Sequence, residues 1–221
     1  MKQGEKYRIL VLTDAKSWIN STAELLISNW EKSGHRAFLA HEIKDVPEAE
    51  FCFCLSFSKI LPKDVRLLFR NTLVVHASDL PFGKGWSPLT WQILEGKSRI
   101  PVTLFEAQDS VDSGPIYAQR DIFFEGYELI GSLRKGLANA TYELCDWFIS
   151  TYPFSANQPK IQNGTGSFYP RRRPEDSCLD VNKTIAEQFN LFRVVDNEAY
   201  PAFFEWKGRR FVLSVTDDGP V

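Results

Sequence analysis

Tyr7-Arg-Ile-Leu-Val-Leu-Thr13, the segment from Ile19 to Gly34 and Ala37-Phe-Leu-Ala40 decide the fold by their succession. The first is a near-continuous apolar run, the pattern of a strand buried on both faces of its sheet. In the second, Ile19, Ala23, Leu26 and Trp30 recur at helical spacing, which places one apolar stripe on a helix that Gly34 ends. The third is again a short strand. Strand, amphipathic helix and strand joined by short links make a βαβ unit, and such units build parallel sheets.

The same alternation continues outward from this unit. Strands are expected at Phe51 to Phe57, Thr72 to His76, Ile100 to Phe105 and Pro115 to Phe124. Helices are expected after Pro62, over Trp86 to Glu95, and over a long segment that lines up Ile130, Leu133, Leu137, Leu144 and Phe148. The fold class is therefore α/β, a Rossmann-like, doubly wound, mainly parallel sheet. Composition shifts after residue 152. Residues 153–166 are rich in Pro, Asn, Gln, Gly, Ser and Thr, which reads as a connecting loop. A helix around Ile185 to Val195 and a hairpin with its turn at Lys207-Gly208 follow. The expected division is a catalytic domain over 1–152 and a small α+β appendage over 153–221.

Composition excludes several classes of partner. The 26 basic and 28 acidic residues leave a net charge of -2, which argues against nucleic acid or an anionic membrane as the main partner. The longest apolar stretch, Phe51 to Phe57, is far too short to span a bilayer. No apolar segment precedes Ile9, so no signal peptide is expected and the chain is read as cytoplasmic. Cys52, Cys54, Cys145 and Cys178 show no Cys-x-x-Cys spacing, so neither a metal site nor a disulfide is expected. The two-apart pair Cys52 and Cys54 belongs in apolar surroundings or on opposite sides of a sheet. Aromatic residues reach 14%, with six Trp, a surplus that calls for an explanation.

Ligands of a parallel sheet gather beyond the carboxyl ends of its strands. His76 closes the fourth strand and opens Ala77-Ser-Asp-Leu-Pro-Phe-Gly-Lys-Gly-Trp-Ser-Pro88, a Pro- and Gly-rich loop expected to be neither helix nor strand. Asp112 follows the fifth strand, and two adjacent strand ends would bring it near His76. A His oriented by a carboxylate moves protons near neutral pH. His35 and His41 flank an ordinary strand and are read as structural, and Asn71 as the cap of the preceding helix. In the loop, Lys84 is a candidate contact to a sugar or diphosphate or else a solvated lysine, and Trp86 a candidate to stack on a ligand ring, with Phe168 and Tyr169 of similar standing; Trp91 is read as core. Arg171, Arg172 and Arg173 lie between Pro170 and Pro174, a stiff setting for one bidentate phosphate contact. The first strand runs into Asp14-Ala-Lys-Ser17 and not a Gly-x-Gly-x-x-Gly turn, so no dinucleotide cofactor is expected.

The string Val74-Val-His-Ala-Ser-Asp-Leu-Pro81, the loop ending in Pro88, the helix ending Glu95-Gly96, Val102-Thr103 and Asp112-Ser-Gly114 resembles the core of the 10-formyltetrahydrofolate-dependent formyltransferases. The C-terminal block from Tyr169 to Phe203 is similar to the tail of the nucleotide-sugar N-formyltransferases, notably the type acting on a UDP-4-amino sugar. The resemblance implies formyl transfer from 10-formyltetrahydrofolate, without a metal, to the amine of a nucleotide-linked sugar. It assigns catalysis to His76 and Asp112 and the folate pocket to Ser56, Phe57, Ser58, Lys59 and Ile60. One departure stands out: the family's Asn, an oxyanion donor, is replaced by Val74. Three readings follow. Ser78 or a backbone N–H of the 77–80 turn supplies the donor; protonated His76 carries the oxyanion alone; or the chain binds ligand without turnover. A methionyl-tRNA formyltransferase fits less well, since the residues after 150 hold nine basic and nine acidic side chains. The aromatic hairpin residues Phe203, Phe204, Trp206 and Phe211 suggest a homodimer through the appendage.

Overall fold

The computed structural model describes residues 5–220. Residues 1–4, on which the signal-peptide expectation partly falls, lie outside that range. β1 (Arg8–Leu12) is buried on both faces, with Ile9, Leu10, Val11 and Leu12 all inaccessible. α1 (Asn20–Lys32) buries Ala23, Leu26 and Trp30 and leads to β2 (Arg36–Ala40), which pairs parallel with β1. β3 (Phe51–Cys54) pairs parallel with the other edge of β1. After the short α2 (Lys63–Arg66), β4 (Asn71–His76) pairs parallel with β3. These strands and β6 (Arg99–Glu106) and β7 (Ile116–Phe123) form one sheet in the order β2-β1-β3-β4-β6-β7.

Strand alternation divides the core into two layers. Ile9, Val11, Phe51, Phe53, Leu73, Val102 and Leu104 face α1 and the long α4 (Ile130–Ser150). Leu10, Leu12, Cys52 and Cys54 face Leu61, Val65 and Phe69, around α2. Helices cover both faces, so the sheet is doubly wound, and its direction of winding reverses between β1 and β3. Cys52 and Cys54 lie side by side in an apolar layer, their Sγ atoms 3.9 Å apart.

The aromatic surplus is largely a core property. Phe148 meets Phe51, Phe53 and Tyr117 edge-on at ring-centre distances of 6.1, 6.2 and 5.1 Å, and Tyr152 closes the cluster against Tyr7 and Phe51.

The sheet is mainly parallel as expected, from β2 to β4, while β6 runs antiparallel to β4 and β7 antiparallel to β6. Other expectations need correction. Asn71 is no helix cap: it opens β4, and its amide donates to Glu106 Oε2 at 2.9 Å. The loop after His76 does contain a strand. Within it β5 (Lys84–Gly85) pairs parallel with β8 (Phe168–Tyr169) from the C-terminal part of the chain. Gly85 is required there: its φ is +93°, and a Cβ would lie 2.5 Å from the Tyr169 carbonyl oxygen. The segment then continues into α3 (Pro88–Leu94), where Trp91 is only half-buried.

The C-terminal part adds α5 (Phe189–Val194), preceded by one 3-10 turn, and the hairpin of β9 (Ala202–Trp206) and β10 (Arg209–Leu213). α5 sends Arg193, 3% exposed, to Glu128 at 3.1 Å. Phe204 stacks on Phe211 across the hairpin, while Trp206 and Val212 stay exposed. Among the described residues no helix is long and apolar enough to cross a membrane.

Candidate active site

His76 ends β4 at the carboxyl edge of the sheet, one strand away from the reversal of winding between β1 and β3. Two loops meet in the crevice there: the Ser58 N–H donates to the Asp14 carboxylate at 3.2 Å. Ser56, Ser58, Lys59 and Ile60 are exposed and Phe57 half-buried in this loop, with Ile60 67% exposed and Lys59 paired to Glu42. The segment is thus an exposed loop past the carboxyl end of β3, the strand that pairs with β4, on the edge where doubly wound sheets bind ligands.

Asp112 reaches His76, but not by the route expected. Because β6 is antiparallel, its end at Glu106 lies opposite Leu73, about 10 Å along β4 from His76. Residues 107–115 turn back over the sheet and return Asp112 to 3.6 Å from His76 Nε2. Asp112 takes a left-handed φ of 49° in this turn, a conformation uncommon for a residue with a Cβ and found enriched at functional sites. The turn is held from outside: the Gln162 side-chain amide donates to the carbonyls of Asp112 and Gly114 at 3.0 and 2.8 Å. Gln162 carries no sequence signal, since it lies in a segment without periodicity.

The carboxylate and the imidazole are not hydrogen-bonded to one another. Asp112 Oδ2 accepts the Gly85 N–H at 2.8 Å, and His76 Nε2 lies 2.8 Å from the Gly83 carbonyl oxygen. A carbonyl only accepts, so Nε2 carries the hydrogen. His76 therefore presents an N–H donor, with the carboxylate placed to stabilise positive charge on the same ring.

The slot at Val74 is apolar throughout. Val74 packs with Leu80, Phe105 and Ile116, and the Phe105 ring stands edge-on to His76. Ser78, in contrast, is 1% exposed and its hydroxyl has no hydrogen-bond partner among the described residues. A buried hydroxyl without a partner costs roughly 1–3 kcal/mol.

Beside the β5–β8 pair lies a cluster of cations on rings. The Arg171 guanidinium sits 4.8 Å from the Trp86 ring centre and Lys84 Nζ 5.9 Å from that of Phe168. Tyr169 stacks on Trp91 and donates to Glu95 at 2.9 Å; burial and that carboxylate push its phenol pKa up. Trp91 in turn donates its indole N–H to the Pro170 carbonyl, so it anchors the C-terminal segment instead of filling the core. Arg172 is spent internally on Val194, Asp176 and Ser177, which removes it from phosphate binding, and burial lowers its pKa. Arg173 is exposed, and its backbone N–H bonds Asp176.

Residues 13–142, which hold the loop after β1, the His76 loop and the Asp112 turn, match the model of the family described as formyl transferase. The chain belongs to the formyl transferase family. Among curated formyl transferases, the methionyl-tRNA formyltransferase of Streptococcus suis is 30% identical over 162 residues, 72% of this chain and 51% of that protein. The chain spans about half the length of such relatives. The fold matches methionyl-tRNA formyltransferase from Clostridium thermocellum (TM-score 0.79, 22% identity, 96% of this chain and 95% of that one). It also matches a 4-N formyltransferase from Francisella tularensis (TM-score 0.73, 15% identity, 98% and 100% covered). HypX from Aquifex aeolicus, solved in complex with tetrahydrofolic acid, shares the formyl transferase fold over 93% of this chain and 37% of its own (TM-score 0.77, 17% identity).

Proposed function

We propose that this formyl transferase moves the formyl group of 10-formyltetrahydrofolate to the amine of a nucleotide-linked, UDP-type 4-amino sugar in the cytoplasm. The observation that carries the sugar reading is the cation-on-ring cluster beside the site. Lys84 and Arg171 project next to Trp86 and Phe168, and among the described residues neither forms an ion pair. Cations free of acidic partners beside exposed rings suit a diphosphate and a base.

When bound, 10-formyltetrahydrofolate supplies a formyl group already activated on nitrogen, so the chain has mainly to align two ligands. The exposed loop 56–60 past β3 suits the donor. His76 gives its Nε2–H to the developing oxyanion after exchanging the Gly83 carbonyl for it, and the Ser78 hydroxyl supplies the second donor that Val74 lacks. The amine nitrogen bonds the formyl carbon and the carbon–N10 bond breaks. One proton leaves the amine to the His76–Asp112 pair, and one is returned to N10.

The names of the curated relatives favour methionyl-tRNA as a second acceptor, against which stands the net charge of -2. Thermal melts separate the two. A ligand at 100 times its Kd stabilises the native state by about 2.7 kcal/mol. UDP and tetrahydrofolate should therefore each raise Tm by about 5–10 °C. A rise with methionyl-tRNA and none with UDP would overturn the sugar reading. A homodimer through the hairpin belongs to the same proposal.

A further inference from the structure

We propose that Thr103 and Gln92 are positioning residues that aim the Ser78 hydroxyl at the reacting group, an inference that rests on the formyl-transfer reading above. The turn after His76 is fixed through its backbone. Ser78 N–H donates to the His76 carbonyl at 2.9 Å, and the Ser78 carbonyl accepts the Thr103 hydroxyl at 2.6 Å. The Ala77 carbonyl accepts the Gln92 side-chain amide at 2.5 Å. Thr103 stands directly opposite His76 in the β4–β6 pair and is inaccessible; Gln92 lies on the buried face of α3, 4% exposed. Gln119 backs the arrangement, donating to Thr103 Oγ1 at 2.9 Å and to Asp79 Oδ1 at 3.1 Å.

Both main-chain groups of Ser78 are thereby occupied, and only its hydroxyl is left over. Polar side chains buried in an apolar strand and helix each donate to a carbonyl of this turn, Gln92 also to the Pro88 carbonyl of its own helix at 3.1 Å, and hold the turn in a single position. Alignment is what they add: a displacement of about 1 Å in a donor costs roughly 100-fold in rate. Filling a buried hydrogen bond alone would make Thr103 and Gln92 ordinary structural residues. The two roles differ in their dependence on Ser78.

Thr103→Val and Gln92→Leu are the perturbations. Each should lower kcat about 30- to 100-fold, with KM for donor and acceptor changed less than about twofold, and Thr103→Ser should restore kcat to within about threefold. In a Ser78→Ala background Thr103→Val should cost less than about threefold more, because the hydroxyl it aims is gone. Hydrogen exchange at the Ser78 amide should speed up about tenfold in Thr103→Val while β3 is unchanged. A full additional loss in the Ser78→Ala background, or an unchanged Ser78 amide, overturns the proposal. If the wild-type protein transfers formyl to no amine, the formyl-transfer reading fails and the exchange measurement alone decides whether the turn is positioned in this way.

Discussion

Asp112→Asn isolates the contribution of one charge. The carboxylate lies 3.6 Å from His76 Nε2 and its side chain is 13% exposed. At an effective dielectric of about 20, a full positive charge on the ring at that distance is worth roughly 4–5 kcal/mol. With part of that charge developed in the transition state, about 3–4 kcal/mol is lost, equivalent to a 10²- to 10³-fold fall in kcat. The fold should persist, because an Asn side-chain oxygen still accepts the Gly85 N–H that Asp112 Oδ2 accepts at 2.8 Å. Single-turnover formyl transfer followed by mass spectrometry gives the rate, and a thermal melt reports the fold. A well-folded Asp112→Asn variant within tenfold of the wild-type rate would refute the electrostatic role of Asp112.

Other perturbations test separate parts of the account. Val74→Asn puts an amide among Leu80, Phe105 and Ile116, which should cost about 1–3 kcal/mol and lower Tm, with the rate changed less than about threefold. A large gain in rate would instead show that the absent donor at position 74 limits turnover and that Ser78 does not replace it. Phe148→Ala empties the centre of the aromatic cluster, where Phe148 is inaccessible, and should cost about 3–5 kcal/mol in a denaturant titration. Asp196 is a pH probe: burial raises its pKa, but the Ala199 and Glu198 N–H groups and Arg134 outweigh burial and hold it low. Its contribution is therefore full above the unfolded value of about 3.9 and is lost as pH falls through the folded value. Asp196→Asn should flatten the loss of stability below about pH 4, and an unchanged acid limb in urea titrations would contradict this.

How legible each feature was depended on how local its cause is. The unit β1–α1–β2 reads directly because buried runs and helical spacing act over a few residues. His76 was legible as a strand-end residue before a Pro/Gly loop. The direction of β6 was not: Ile100 to Phe105 is an apolar run that looks the same whether its neighbour runs with it or against it. The return of residues 107–115, which makes Asp112 meet His76, is a loop trajectory without periodicity. Trp91, a large aromatic on a helix, reads as core; its partners, Tyr169 and the Pro170 carbonyl, lie more than 70 residues later. Arg171, Arg172 and Arg173 look alike in sequence, and only their neighbours distinguish the ring-stacked Arg171 from the internally bonded Arg172. Thr103 carried a faint signal as a polar residue in an apolar strand, for such a residue is buried only when its hydroxyl finds a partner there.

The central claim is formyl transfer to an amino sugar with His76 as donor and Asp112 beside it. Its most direct test is to incubate the protein with 10-formyltetrahydrofolate and a panel of UDP-, dTDP- and GDP-linked amino sugars, reading each sugar by mass spectrometry. The expected result is the mass gain of one formyl group on a UDP-linked 4-amino sugar, abolished in His76→Ala. No gain on any sugar by a folded protein that binds tetrahydrofolate would contradict it.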